Sequence, residues 1–384
     1  MLGGNYFYGT TYFGGANKQG LVFRMTPAGQ LTTLYSFCAK AKCADGAQPN
    51  APLTWTSNGD LIGTTSAAGP TGFGGEVFRL SGPTPTLTTF GVCTNYPSCT
   101  SGEFPGNFVV QASDGYFYTT TDFGGQFGGG EILKITSTGG FIDVHNFCQQ
   151  TNCVDGEGPN AFLQGSDGNF YGTTSTGGTG VGCSTGLCGT VFKMLPSGVF
   201  SVLYNFCSQA NCADGDAPNS LMQGSDGNLY GTTYTGGIND SGTIFQISTD
   251  GQFRTLYQFC ASGTCTDGIG PTAISQSTDG KFYGTTGYGG GPSGGGTVFT
   301  LDNGLAPFVQ TVSQSSRVGS TIEILGQGLT GTTAVAFNGT TASFKVVSDT
   351  YLSATVPTGA TSGFVAVTTP TGTLTSNLVF HVTN

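Results

Sequence analysis

The sequence predicts an all-β chain: a six-bladed β-propeller over residues 1–304, followed by a small immunoglobulin-like β-sandwich over residues 305–384. Three observations carry that prediction. A phrase of the form Phe-Tyr-Gly-Thr-Thr occurs six times, at 7–11, 61–65, 117–121, 170–174, 229–233 and 282–286. Its second position falls at residues 8, 62, 118, 171, 230 and 283, so the copies repeat every 53 to 59 residues. That is close to the roughly 50 residues of kelch blades and above WD40 blades. The composition agrees: 67 Gly, 29 Phe and 15 Tyr with only 8% charged residues fit many tight turns joining short aromatic strands.

Each copy reads as four strands. In the fourth copy the first is Ala161-Phe162-Leu163-Gln164-Gly165, ended by Asp167-Gly168, whose glycine supplies the positive φ of a hairpin. The second is Phe170-Tyr171-Gly172-Thr173-Thr174, rich in β-forming residues. A glycine-rich loop leads to Gly189-Thr190-Val191-Phe192-Lys193-Met194, and a turn through Pro196-Ser197-Gly198 leads to 200–206. A long connection then crosses to the next copy. No segment has a 3.6-residue apolar period of helical length, which excludes a helical solenoid. The first copy starts at its second strand and the last ends at 297–301 without a fourth. Either an N-terminal strand and its export signal lie outside the sequence, or the two ends close the ring by an unusual contact. The further alternative is an edge completed by a neighbouring molecule.

Twelve cysteines fall into six local pairs: Cys38/Cys43, Cys93/Cys99, Cys148/Cys153, Cys183/Cys188, Cys207/Cys212 and Cys260/Cys265. Zinc sites favour Cys-x2-Cys pairs or histidines, and the chain offers neither. Disulfides are the expectation, and with them an extracellular or cell-surface location. Each closes a short loop, so chain entropy contributes only about 2 kcal/mol per bridge. Net charge is −10 with no basic patch, which disfavours nucleic acid. No apolar run is long enough for a membrane helix, so no membrane insertion is expected.

The phrases Gly168-Asn169-Phe170-Tyr171-Gly172-Thr173-Thr174, Gly189-Thr190-Val191-Phe192-Lys193 and Asp214-Gly215-Asp216-Ala217-Pro218-Asn219 recur in fixed order. Over about residues 4–303 the chain resembles the Gloeo/Verruco (GloVer) tandem repeat of bacterial exported proteins. The resemblance implies export and architecture and carries no activity. Departures from the pattern are Leu61-Ile62 for Phe-Tyr, Thr119 for Gly, and Glu76 and Glu131 where other copies have Thr.

After Asp302-Asn303-Gly304 the cysteines stop and Val/Thr alternation takes over, with half-buried strands expected at 321–326, 334–337, 352–356 and 364–368. The phrases Val318-Gly319-Ser320-Thr321, Gly326-Gln327-Gly328-Leu329, Val335-Ala336-Phe337-Asn338-Gly339 and Ala354-Thr355-Val356-Pro357 make this segment resemble an IPT/TIG immunoglobulin-like domain. That resemblance implies a spacer or docking module.

All twelve cysteines lie on the loops after the second strand or on the crossovers, which share one face of a propeller. Loops on a rigid scaffold are where binding resides, so this face is the candidate. Asp45, Asp155, Asp214 and Asp267 precede Gly on four crossovers. They are read either as a ring collecting calcium or sugar hydroxyls or as caps of their own turns. Asp214 and Asp216 are the best calcium candidates, though no EF-hand-like loop surrounds them. Gln111, Gln164, Gln223 and Gln276 form a column on the first strands, with Trp55 in the matching place of the second copy. They either line a channel and bind a ligand or satisfy backbone groups between strands. Tyr12, Tyr234 and Tyr288 either stack on sugar rings or pack on the next blade.

Catalytic material is thin. The only histidines, His145 and His381, assemble no triad, and the glycine-rich loops lack the Lys-Ser/Thr of a phosphate-binding loop. The expected function is therefore a secreted or surface-displayed, non-catalytic protein that binds a glycan or a surface protein. It needs no cofactor, with calcium as a candidate. Two alternatives stand beside it. One is a structural subunit forming a homo-oligomer or filament through its incomplete edges. The other is a polysaccharide lyase or glycoside hydrolase using Glu76, Glu103, Glu131 or Glu157.

Overall fold

A computed structural model describes residues 2–383, apart from 4–5, 57–58, 70–73, 83, 94–98, 100–101, 137–138, 181–186 and 292–293. It is all-β and propeller-like, and up to residue 301 it is a succession of antiparallel sheets in which sequence neighbours are sheet neighbours. The fourth sheet runs Glu157–Gln164, Phe170–Thr176, Leu187–Met194 and Phe200–Asn205, and the third and fifth repeat that order. In the second sheet the first strand is split into Ala47–Pro49 and Thr54–Trp55, both paired with Leu61–Ala67. The first sheet corrects the sequence reading. Leu2–Gly3 pairs with Tyr6 and Phe7, so the first copy does contain the end of its first strand. Two residues are too short to register as a pattern. The sixth sheet has three strands, Ile269–Gln276, Phe282–Tyr288 and Val298–Leu301.

The core consists of five junctions between consecutive sheets. Each cluster takes residues from one sheet and the next: Tyr171, Val191 and Phe206 meet Leu229, Phe245 and Ile247, for instance. Strand alternation explains this, because the Tyr of each Phe-Tyr-Gly phrase faces the following sheet and the Phe faces the preceding one. Ring centroids of Tyr118 and Phe170 lie 4.6 Å apart and those of Tyr230 and Phe282 4.3 Å apart. Such pairs add about 0.5–1.5 kcal/mol beyond their burial. Close approach also requires glycine before the third strand. A Cβ on Gly189 would come within 2.6 Å of Pro218, and one on Gly242 within 2.5 Å of Pro271.

The glutamine column staples the same junctions. Gln223 accepts from the Ser166 N–H (2.8 Å) and donates to the Gly227 carbonyl (2.8 Å). Gln164 does the same with Ser113 and Gly168, and Gln276 with Ser225 and Gly280. Each Gln thus ties its own hairpin turn to that of the preceding copy. Trp55 holds the same register against Leu61, but packs edge-on to Tyr8 at 5.1 Å instead.

Residues 308–383 form two four-stranded sheets, one containing Thr321–Leu325 and Tyr351–Thr355, the other Ala334–Phe337 and Val365–Thr369. They enclose a core of their own around Ile324, Val335, Phe337, Leu352 and Val367. This unit touches the sixth sheet's hairpin turn through the Phe308 N–H to the Thr278 carbonyl (3.0 Å) and Gln327 to Thr278 Oγ1 (3.1 Å). Thr278 occupies the position of Ser225 in the preceding copy, so Gln327 reproduces the Gln276–Ser225 contact.

Candidate binding face

Five disulfides lie on one face: Cys38–Cys43, Cys93–Cys99, Cys148–Cys153, Cys207–Cys212 and Cys260–Cys265. Cys188 is also disulfide-bonded, whereas Cys183 lies outside the described residues. Both half-cystines of four bridges hold positive φ, as at Cys207 (55°) and Cys212 (50°). A β-substituted residue resists that conformation, and the crosslink holds it in place.

The crossover aspartates point inward beneath these loops. Asp214 accepts from the Tyr204 hydroxyl (2.8 Å) and from the Ser208 and Gln209 N–H groups (3.0 and 3.2 Å). Asp45 accepts from Tyr35, Ala39 and Lys40 in the same way, and both carboxylates are completely buried. Asp267 takes bonds from Tyr257 and the Cys260 N–H. These residues therefore do not form a surface ring. Nor do these three cap their own turns: Asp45, Asp214 and Asp267 each reach back five to seven residues to a backbone N–H and latch the disulfide loop to the fourth strand through a tyrosine. Burial and the facing aspartate push the Tyr35 and Tyr204 phenols upward. In the third copy His145 replaces the tyrosine, 3.4 Å from buried Asp155, and stacks on Phe200 as Tyr204 stacks on Phe253, each at 3.8 Å.

Asp216 stands beside the Cys207–Cys212 bridge, its carboxyl raised mainly by burial. Its carboxylate and both sulfurs lie within 4.8 Å of one another, as do Glu103 and Glu157 with their own bridges. Because those sulfurs are joined as disulfides, they supply no thiolate ligands.

Glu76 and Glu131 open the third strands of their sheets and are completely buried. Among the described residues neither carboxylate oxygen of either has a hydrogen-bond partner in bonding geometry, with Thr89 near Glu76 and Asp143 near Glu131. Burial pushes Glu76 up to about 7 and Glu131 up to about 8, the nearby Asp143 adding to the second. Enclosed in this way, neither side chain is exposed at the surface, unlike part-buried Glu103 and Glu157.

The exposed part of the face is aromatic. Tyr12, Tyr234 and Tyr288 are 39% to 59% exposed, and Phe13, Phe104, Phe123 and Phe127 join them. Desolvation and the neighbouring Tyr288 raise the Tyr234 phenol, while Tyr12 donates to Gln48 at 2.9 Å. Phe13, Phe123 and Tyr288 each precede two glycines of positive φ, such as Gly124 (77°) and Gly125 (73°). These turns, open only to glycine, leave the ring at the surface. The aromatic-Gly-Gly phrase is visible in the sequence, and it would have added Phe13 and Phe123 to the candidates. Trp55 is not part of this face, since it packs against the junction of the first two sheets. On the opposite side a groove of about 580 Å³ runs between hairpin residues Ser166 and Ser225–Gly227 and the C-terminal unit at Phe364 and Thr375.

Comparison with known families decides the relationship. The Gloeobacter/Verrucomicrobia repeat matches twice, over residues 2–185 and 179–343. The chain belongs to this repeat family. The second match continues past residue 304 into the segment that the sequence reading assigned to a separate domain. No IPT/TIG match accompanies it. No curated protein matches the sequence. Among solved structures, PorZ, a surface component of the type IX secretion system of Porphyromonas gingivalis, is 15% identical. Its TM-score is 0.49, with 99% of this chain and 50% of that chain covered. A gluconolactonase from Xanthomonas campestris is 12% identical with a TM-score of 0.42, covering 82% and 88%. A Bacteroides thetaiotaomicron protein of unknown function is 14% identical with a TM-score of 0.44, covering 78% and 67%. Among the described residues, no helix of the repeat chain is long and apolar enough to cross a membrane.

Proposed function

We propose that this repeat protein is an exported, non-catalytic binding protein that takes a glycan or another amphipathic surface component on its disulfide-braced face. The carrying observation is chemical segregation on that face. Its carboxylates Asp45 and Asp214 are buried and consumed by internal hydrogen bonds, leaving exposed Tyr12, Phe13, Phe123, Tyr234 and Tyr288 as the available groups. Flat aromatic faces with a polar edge suit the alternating apolar and hydroxylated faces of sugars. In this reading the six sheets are propeller blades, and residues 305–384 are an immunoglobulin-like spacer. The local disulfides support an oxidising location.

A broad glycan array, probed with and without calcium, tests the reading. Expected is retention of a defined set of neutral or acidic glycans that falls at least tenfold in Tyr234→Ala/Tyr288→Ala and is indifferent to calcium. No retention under either condition would sink it, and retention unaffected by the double variant would move the site elsewhere.

A further inference from the structure

Each internal junction buries the same pair of positions. The third-strand residues Val22, Val77, Ile132, Val191 and Ile244, which face the following sheet, are at most 1% exposed. Their counterpart in the sixth sheet, Val298, is 79% exposed, and Tyr283 is 40% exposed where Tyr171 and Tyr230 are fully buried. The first sheet shows the complement. Phe7 is 42% exposed, whereas in the same place Leu61, Phe170, Leu229 and Phe282 are at most 4% exposed and Phe117 is part-buried against its junction. No core cluster and no hydrogen bond among the described residues joins the first sheet to the sixth.

The chain therefore displays the two halves of its own five-times-repeated interface, unmet. We infer that the open face of the sixth sheet (Tyr283, Thr285, Val298) receives the first sheet of a second copy of this chain, with Phe7 seated on Tyr283. Three features select that occupant. The halves are complementary by construction, since Tyr230 and Phe282 already show the contact at 4.3 Å. Both stay exposed within one chain, so a molecule does not satisfy itself. Finally, the staple that an incoming copy would normally supply is already in place, because Gln327 occupies Thr278. The incoming sheet needs no glutamine, and the first copy has Leu2 at that register, opposite Phe7, where the third to sixth copies have Gln opposite Phe or Leu. Such an interface is heterologous and propagates head to tail.

The test is light scattering of the full-length chain over a wide concentration range. The expected mass rises from 39.1 kDa toward multiples of it. Phe7→Asp and Val298→Asp should each stay monomeric, and their equimolar mixture should stop at a dimer, because one intact half is left on each partner. Tyr283→Asp serves as a second lesion of the sixth face, and unchanged melting midpoints establish that all three fold. Wild-type protein that stays at the monomer mass at every concentration, as a ring closed on itself would, overturns the inference. So does a mixture of the two variants that fails to pair.

Discussion

In the fourth and fifth copies the second and third strands meet through two threonine hydroxyls, Thr174 with Thr190 at 2.9 Å and Thr233 with Thr243 at 3.0 Å. In the second and third copies the same register sets Thr65 against Glu76 and Thr121 against Glu131. The hydroxyl pairs satisfy each other inside the sheet. The glutamates bring a longer, ionisable group into the same enclosed corner, where among the described residues no group meets it in hydrogen-bonding geometry. The crossover latch divides the copies in a related way. Asp214, in the crossover into the fifth copy, takes three hydrogen bonds. Asp155, in the crossover into the fourth, has His145 at 3.4 Å and takes no hydrogen bond among the described residues. One backbone plan thus tolerates both a self-satisfied and a frustrated polar interior. Burial of a group without a partner must be offset by the packing around it.

The contrast can be broken most severely at the latch. Asp214→Ala strips acceptors from two N–H groups and the Tyr204 hydroxyl, and should cost about 3 kcal/mol in denaturant unfolding. Asp155→Ala should cost about 1 kcal/mol, because fewer bonds depend on it. Equal losses would show that the latches are equivalent after all.

Glu131→Thr sharpens the contrast next, by installing the hydroxyl pair with Thr121. The unfolded chain releases the Glu131 proton near the ordinary 4.5, whereas the folded chain keeps it to about 8. The folded state therefore binds the proton more tightly, and the wild-type protein loses stability as pH rises through that window and levels off above it. The variant should match or slightly exceed wild type near pH 5, and its advantage should grow by up to about 4–5 kcal/mol as pH rises past 8. Melting midpoints across that range measure it, and a pH-independent difference would refute burial as the cause. The smallest effect should come from Gln223→Ala, which removes one staple between the fourth and fifth copies, at about 1 kcal/mol. The same substitution at Gln164 should give a similar loss if the junctions are energetically alike.

Much of the fold was legible because it is written in short-range patterns. The alternating Phe-Tyr-Gly-Thr-Thr strands, the Asp-Gly turns and the cysteine pairs are each contained within a few residues. What escaped lies across longer separations. The Tyr204–Asp214 latch spans ten residues and forms no local motif. The Gln223–Ser166 staple spans 57, and the sequence offered backbone satisfaction by the glutamine column as one of two readings without naming the partners. A signal existed nonetheless: the second copy has Phe90 at the latch tyrosine's place and Ser101 at the aspartate's, the two partners changing together. Tyr12, Tyr234 and Tyr288 could be singled out because loop tyrosines beside glycines are conspicuous. Asp45 could not be told from a turn cap, because burial is a property of what packs above it.

The spacing of the half-cystines has a consequence for how such a chain can be assembled and changed. In the five bridges formed between described residues, four pairs of partners stand five residues apart and one pair six, so each of these bridges is contained within a single crossover. In these five the right partner is the neighbouring cysteine, and none needs a cysteine from another copy. A whole copy can therefore be duplicated, deleted or exchanged without leaving an orphaned thiol elsewhere in the chain. The covalent crosslinks belong to the repeating unit, and the array as a whole is free to vary in length.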